Sequence, residues 1–269
     1  MVTSMNLKLK NILPLTLVLL NLCVTQTIVN GLLITSNTFL KGDHVFNGTV
    51  TVEKGATLNL EGGTYHFDGD LNVHGTLNAN YTYFSLNQFS SVNITGLVEL
   101  YASGIDTIII VKTFYNSGYL YLESTTELDR IVQFEVSASN EFVNDGSIYL
   151  GRKTTEFLLG LSIGAQNGIQ APFTNNGLVN VCGFNKVING TDLYVENARQ
   201  LAFYTNVEGS GTMKVKNAVF GIGQVQFSSK QNIVLDSSAL LPMNVNLSIA
   251  VHGLSSSLII MGADILLKI

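Results

Sequence analysis

A short unit, a glycine-containing turn followed by a strand of alternating side chains, recurs along this chain and constrains its fold more than any other feature. Its clearest copy spans residues 173–182. Asn176 and Gly177 predict the turn, because both residue types tolerate positive φ. Val179 and Val181 then fall on one side of the strand that follows, as the period of two requires.

The unit returns at intervals typical of a solenoid. Its copies are marked by Gly55, Gly75, Gly96, Gly118, Gly146, Gly177 and Gly211. The intervals between these glycines run from about 20 to about 34 residues, the range of solenoid repeats. One turn and one strand cannot bury their own apolar face, so the pattern predicts coils stacked into a parallel β-solenoid. The later, longer intervals predict longer loops or an extra strand.

Composition agrees with an all-β body and excludes one class of partner. The chain of 269 residues is 46% hydrophobic and only 12% charged, with 25 Gly and no Trp, which favours strands with an outer surface of Ser, Thr and Asn. The net charge is -5, with 14 Lys and Arg together. Such a chain has no basic stripe, and we expect no nucleic-acid partner.

Two internal stretches carry specific strand predictions. The continuous apolar run 108–111 predicts a strand that is buried on both sides. Residues 158–163 also read as a strand with a long loop rather than a helix, because Gly160 and Gly164 would weaken a helix.

Residues 1–31 have the features of a secretory signal, which would leave residues 32–269 as the solenoid domain. Lys8 and Lys10 provide the positive flank, and the apolar run at 15–20 is too short for a membrane span. A retained N-terminal anchor is the alternative. After cleavage we expect no membrane span, and the apolar stretch at 264–269 suggests a chain that is truncated or docked on a partner.

The cysteines predict no internal disulfide. Cleavage of the signal would remove Cys23 and leave Cys182 as the single cysteine, which we interpret as a packing residue of its strand. Five Asn-x-Ser/Thr sequons are predicted glycan acceptors on exposed turns: Asn47, Asn80, Asn93, Asn189 and Asn246.

One acidic pair is the candidate for catalysis. Asp68 and Asp70 would lie on the same face of a strand, with His66 and His74 nearby in sequence, and could act as an acid and a base or hold a cation. The alternative, which we favour, is that Asp-Gly-Asp forms an ordinary turn. The charges at 127–130 similarly read as a solvated turn.

No other chemical motif is evident. The sequence has no Ser/His/Asp pattern, no Cys/His metal spacing and no phosphate loop. Its four histidines are scattered: His44, His66, His74 and His252. We therefore predict no cofactor, no metal and no catalytic residue.

The two most regular turns carry a resemblance to a known family. The stretches at 173–182 and 207–215 resemble the N-terminal domain of the yeast hyphally regulated cell wall protein family. The likeness covers roughly residues 35–260. It rests on the order of a signal peptide, strand coils, an Asn-Asn-Gly turn, a strand with a cysteine and a Gly-Ser-Gly turn.

That resemblance implies a right-handed parallel β-helix, displayed at the cell surface by glycosylphosphatidylinositol-anchored, adhesin-like wall proteins. This chain departs from the family in having no Ser/Thr-rich stalk, no anchor signal and no second cysteine near Gly211 to pair with Cys182. We therefore expect a truncated or secreted relative that is extracellular, in the wall or the medium.

Three functional hypotheses follow. The first is a non-enzymatic adhesin-like domain whose Thr, Asn and Tyr side chains contact a cell surface, an abiotic surface or glycans. The second is a polysaccharide lyase or hydrolase on the same scaffold, using Asp68 and Asp70. The third is a non-functional remnant of a larger wall protein.

Overall fold

The computed structural model consists of short strands joined by tight turns. It describes residues 27–102, 107–124, 132–151, 159–164, 171–182, 199–216, 218–222, 227–228, 232–236, 239–242, 251–252 and 257–261. Within these ranges there is no α-helix, and every strand pair is parallel. The predicted all-β fold is confirmed.

The strands are hydrogen-bonded into two parallel sheets, of 12 and 14 strands, across which we distinguish three ladders of stacked strands that the chain visits in turn. The first ladder comprises β3 (Thr38–Lys41), β6 (Thr57–Phe67), β8 (Thr76–Leu86), β10 (Leu97–Ala102), β12 (Tyr119–Ser124), β14 (Ser147–Leu150), β17 (Leu178–Cys182), β20 (Thr212–Lys216), β23 (Asn232–Asp236) and β26 (Ser257–Met261).

The second ladder has two parts, which meet where β8 contacts β11. It comprises β1 (Thr27–Val29), β4 (His44–Phe46) and the ends of β6 and β8, then β11 (Thr107–Asn116), β13 (Val132–Asn144), β15 (Leu159–Ile163), β18 (Arg199–Phe203), β21 (Ala218–Ile222) and β24 (Ala239–Pro242).

The third ladder completes each coil. It comprises β2 (Leu32–Ile34), β5 (Val50–Val52), β7 (Leu71–Val73), β9 (Ser91–Ile94), the ends of β11 and β13, then β16 (Phe173–Asn175), β19 (Val207–Glu208), β22 (Phe227–Ser228) and β25 (Val251–His252). Because successive strands of every ladder come from successive coils, the chain is a parallel β-helix. This is the architecture that the repeated unit predicts.

The coil length follows the intervals between the repeated glycines. Asn59 and Asn78 are hydrogen-bonded across neighbouring coils and are 19 positions apart. Asn116 and Asn144, which are bonded in the same way later in the chain, are 28 positions apart. Several stretches of the later coils, of which residues 183–198 are the longest, lie outside the described residues.

Aromatic columns fill part of the interior. Phe46 stacks on Phe67 with ring centroids 4.6 Å apart, and Phe67 lies 5.0 Å from Phe84 in the next coil. A second column runs through later coils and contains Phe114, Phe142 and Phe173, and Phe203 of the second ladder contacts Phe173. Like residues stack because each ladder places equivalent positions of successive coils about 4.8 Å apart.

The prediction that the run 108–111 is buried on both sides is wrong. Ile109 and Val111 are buried, but Ile108 and Ile110 are 42% and 37% exposed. The side chains alternate between the interior of the coil and its outer surface, and no second layer covers that surface among the described residues. The continuous apolar run is therefore an ordinary strand that is buried on one face only, and its outer face forms an apolar patch.

Glu135 lies beside this patch, because it pairs with Ile108 across β11 and β13. Burial raises the pKa of its carboxyl above the usual 4.5. The folded protein thus holds the proton more tightly than the unfolded chain. The resulting stabilisation is present below the pKa of the unfolded carboxyl and is lost as the pH rises through the folded pKa.

We expect Glu135→Gln to remove this pH dependence. The variant and the parent should be equally stable near pH 3, and the variant should be more stable above about pH 6, by less than about 1 kcal/mol. Urea unfolding across this pH range measures the difference. If the variant were less stable than the parent at neutral pH, the expected direction of the stability change would be wrong.

The repeated glycines are required by coil stacking. A Cβ on Gly146 would overlap the carbonyl oxygen of Gly118, and a Cβ on Gly177 would overlap that of Gly146. Gly75, Gly96, Gly118 and Gly211 are equally confined by backbone of the preceding coil. Positive φ, the reason given for the turn at Gly177, is found neither there nor at the other five glycines, and within the repeated set it occurs at Gly55, where φ is 86°.

A ladder of buried asparagines runs beside these glycines. The side-chain amide of Asn116 donates to Asn144 Oδ1 at 2.7 Å, and that of Asn144 donates to Asn175 Oδ1 at 2.8 Å. All three side chains are fully buried. Each asparagine ends a third-ladder strand, so its amide fixes the corner at which the chain turns into the first ladder.

At the N-terminal end, the first coil begins ahead of the expected domain start at Leu32. Thr27–Val29 forms β1 and pairs with β4. The predicted signal boundary at residue 31 therefore follows β1. Residues 1–26 with Cys23, the charges at 127–130 and the C-terminal stretch 262–269 lie outside the described residues.

Candidate functional site

The acidic pair predicted from the sequence lies in the bend between β6 and β7. Asp68 Oδ1 bonds to His66 Nε2 at 2.9 Å and accepts from Asn87 Nδ2 at 3.3 Å. Asp70 Oδ1 accepts from the backbone N–H of Ser91 at 2.8 Å. Each carboxylate thus has its own partners, and residues 68–70 form the bend between the two strands.

One polar chain at this bend escaped the sequence analysis. His66 Nδ1 lies 2.8 Å from Ser85 Oγ, and its other ring nitrogen bonds to Asp68. Ser85 pairs with His66 because it occupies the same position one coil later, 19 residues on. The spacing of the two residues equals one coil interval, and this was the only sign of their contact in the sequence. A search for residues that lie close together in sequence could not find the pair.

The other histidines have separate environments. His74 Nδ1 lies 2.8 Å from Thr95 Oγ1 on the outer surface, again one coil away. His44 is buried and stacks on the ring of Tyr65 at 5.4 Å, with its Nε2 3.1 Å from the carbonyl oxygen of Lys41. His252 lies in β25. In the described part of the chain, no group of three or more His, Cys, Asp or Glu residues could hold a metal ion.

The most distinctive outer feature is a cluster of three tyrosines on the first ladder, which we call the tyrosine column. Tyr119 and Tyr121 come from β12, and Tyr149 pairs with Tyr121 from β14. The rings of Tyr121 and Tyr149 stack at 4.8 Å with planes 20° apart, and those of Tyr119 and Tyr121 lie 6.3 Å apart and nearly parallel. Tyr119 is 51% exposed.

Polar side chains extend the same outer row on both sides of the column. Glu99 pairs with Tyr121 from one neighbouring coil, and Asn180 pairs with Tyr149 from the other. Lys214 follows Asn180 in the next coil. The outer surface of the first ladder therefore offers aromatic rings bordered by a carboxylate, an amide and an amine.

The sequons are only partly where the sequence analysis expected them. Asn47 is exposed in the bend after β4, as predicted. Asn80 and Asn93 instead lie within strands β8 and β9, so their prediction as turn residues is wrong. Period-two alternation places them on the outer surface between neighbouring coils. Asn189 and Asn246 lie outside the described residues, and Cys182 is half-buried in β17.

Fold and surface together define a parallel β-helix protein with an aromatic outer column. Comparisons with protein-family profiles, curated proteins and solved structures gave no match to this chain. Among the described residues, no helix is long and apolar enough to cross a membrane.

Proposed function

We propose that this protein is an extracellular, adhesin-like domain that binds glycans or other surfaces through the tyrosine column. The observation that supports the proposal is the stacking of Tyr119, Tyr121 and Tyr149 on the outer surface of a rigid ladder. Cell-wall or secreted placement follows from the expected signal peptide and is part of the same proposal.

The column has the physical properties of a recognition surface. Its backbone is fixed by strand pairing to both neighbouring coils, so little conformational entropy is lost when a ligand binds. Tyrosine combines a large apolar ring with a hydroxyl that can donate and accept hydrogen bonds. Tyrosines are also among the residues that dominate binding energy at interfaces.

Neighbouring polar groups suit a carbohydrate. Glu99 and Asn180 border the rings at the same height of the ladder, and hydroxyl-rich ligands require acceptors and donors beside an apolar contact. The outer row extends over five successive coils from Glu99 to Lys214, with the aromatic rings in two of them. An extended polymer could therefore contact several coils at once and gain affinity by multivalency.

Combined replacement of Tyr119, Tyr121 and Tyr149 by alanine should raise the Kd at least tenfold. A loss of about 1.4 kcal/mol of binding free energy is enough for that change. The full-length secreted protein would be titrated against insoluble β-glucan, chitin and mannan, and against polystyrene beads. Depletion from solution measures the bound fraction.

Tyr115→Ala provides the matched control, since Tyr115 is 38% exposed but lies on the third ladder. It should bind like the parent. Equal binding by the parent and the triple variant would exclude the column as the binding surface. Failure of the parent to bind any of the four materials would overturn the proposed function.

A further inference from the structure

We propose that Ser85, His66 and Asp68 form a nucleophilic site for carboxylic esters on the second ladder. This activity is separate from binding by the tyrosine column, which lies on the first ladder. It also differs from the acid and base pair considered for Asp68 and Asp70, because the reacting group is a serine hydroxyl and Asp70 has no part in it.

Geometry is the first argument. The contacts from Ser85 Oγ to His66 Nδ1 and from His66 Nε2 to Asp68 Oδ1 are 2.8 Å and 2.9 Å. Both fall in the range required for a general base and its orienting group. Strand pairing fixes the serine opposite the histidine, and Asn87 Nδ2 further holds the carboxylate.

Hydrogen-bond chemistry then determines the direction of proton transfer. An ionised carboxylate only accepts, so His66 Nε2 must donate to Asp68. In the neutral imidazole this leaves the lone pair on Nδ1, directed at Ser85 Oγ. The histidine is therefore in the tautomer that can remove the serine proton, with the two ring nitrogens exchanged relative to the serine proteases.

Access and surroundings indicate the class of substrate. The side chains of His66 and Asp68 are 35% and 38% exposed, so the site opens on the surface. Tyr83 lies on the same face of β8 as Ser85 and is partly exposed. An ester with an apolar acyl group would contact such a surface.

A second apolar flank comes from the following coil. The backbone N–H of Lys112 donates to Ser90 O at 2.8 Å. This hydrogen bond places the segment that contains Phe89 next to the segment of the following coil that contains Ile110. Both of these apolar side chains are exposed, Phe89 by 75%. Exposed apolar side chains thus occur on the strand that carries the serine, in the turn after it and in the following coil.

The chemical steps balance without a cofactor. Ser85 Oγ attacks the ester carbonyl carbon as its proton passes to His66 Nδ1, and Asp68 stabilises the imidazolium. The C–O bond to the alcohol breaks, and the proton on Nδ1 passes to the departing oxygen. Water, deprotonated by the same nitrogen, then cleaves the acyl-serine, releasing the carboxylic acid and restoring the hydroxyl.

A fluorophosphonate probe tests the nucleophile directly, because attack by Ser85 would displace fluoride and leave a stable adduct. The folded full-length protein should acquire one adduct, located at Ser85 by peptide mass spectrometry. It should also hydrolyse 4-nitrophenyl butyrate. Ser85→Ala should abolish the adduct, and His66→Gln should slow labelling about a hundredfold. Asp68→Asn should slow it at least tenfold.

His74→Gln is the matched control, because His74 makes the same cross-coil contact to a hydroxyl, that of Thr95, but has no carboxylate partner among the described residues. It should label like the parent. Circular dichroism spectra that match the parent's would show that each variant is folded. Absence of an adduct at Ser85 in the folded parent, or labelling that is independent of His66, would overturn the proposal.

Discussion

Replacing Gly146 by alanine should destabilise the protein by about 3 kcal/mol, the upper end of the usual cost of overpacking. The new Cβ would overlap the carbonyl oxygen of Gly118 and the carbonyl carbon of Ser117. Neither atom belongs to a flexible side chain. Relief of the overlap would require the coils to separate, which would weaken the ladder hydrogen bonds on both sides of the corner.

Urea unfolding followed by circular dichroism measures this effect. Ser117→Ala is a suitable control, since Ser117 is exposed in the equivalent turn one coil earlier and should change stability by less than about 0.5 kcal/mol. If Gly146→Ala cost less than about 1 kcal/mol, the close approach of neighbouring coils at this corner would be wrong.

Replacing Asn144 by alanine should have a comparable effect, about 3 kcal/mol. Its side chain accepts from Asn116 and donates both to Asn175 Oδ1 at 2.8 Å and to Leu178 O at 3.3 Å. Removing it leaves buried polar groups without partners, each of which costs about 1–3 kcal/mol. It also leaves a cavity at the centre of the ladder.

The pair of Asn59 and Asn78 provides the comparison on the outer surface. Asn78 Nδ2 donates to Asn59 Oδ1 at 3.0 Å, but both side chains are only half-buried. Asn78→Ala should cost less than about 1 kcal/mol, because water can replace the lost bond. If the Asn144 and Asn78 variants lost the same amount of stability, burial of the asparagine ladder would not be the reason for its contribution.

The repeated unit predicted the parallel β-helix correctly, but the reason given for its glycines was mostly wrong. Positive φ and close approach both select glycine, and a sequence does not distinguish between them. Gly55 has a φ of 86°, whereas Gly146 is needed because Gly118 lies directly against it in the preceding coil. The close approach depends on a residue of the preceding coil, which becomes a neighbour only when the coils stack.

The same limit explains the other differences. Asn144 reads as a turn residue in sequence, and its burial follows from hydrogen bonds to residues 28 and 31 positions away. Ile108 and Ile110 read as core, and their exposure follows from the one-sided packing of the coil wall. Contacts between coils therefore decide the role of Gly146 and the burial of Asn144, whereas packing on one face of the strand decides the exposure of Ile108 and Ile110.

The candidate sites were predictable to different degrees. The participation of outer tyrosines was expected, whereas their stacking depended on the register that places Tyr121 beside Tyr149. The contact of His66 with Ser85 was not found, although its interval of 19 residues equals that between Asn59 and Asn78. Aligning the coils before searching for chemistry would have placed these residues side by side.

Tyrosine footprinting tests the central claim, binding through the tyrosine column, most directly. The parent protein would be nitrated with tetranitromethane, free and bound to the polysaccharide it retains, and each tyrosine quantified by mass spectrometry. We predict that Tyr119, Tyr121 and Tyr149 become protected on binding, while Tyr83 and Tyr115 on the other ladders react as before. Unchanged nitration of the column, or protection confined to Tyr83 and Tyr115, would contradict the account.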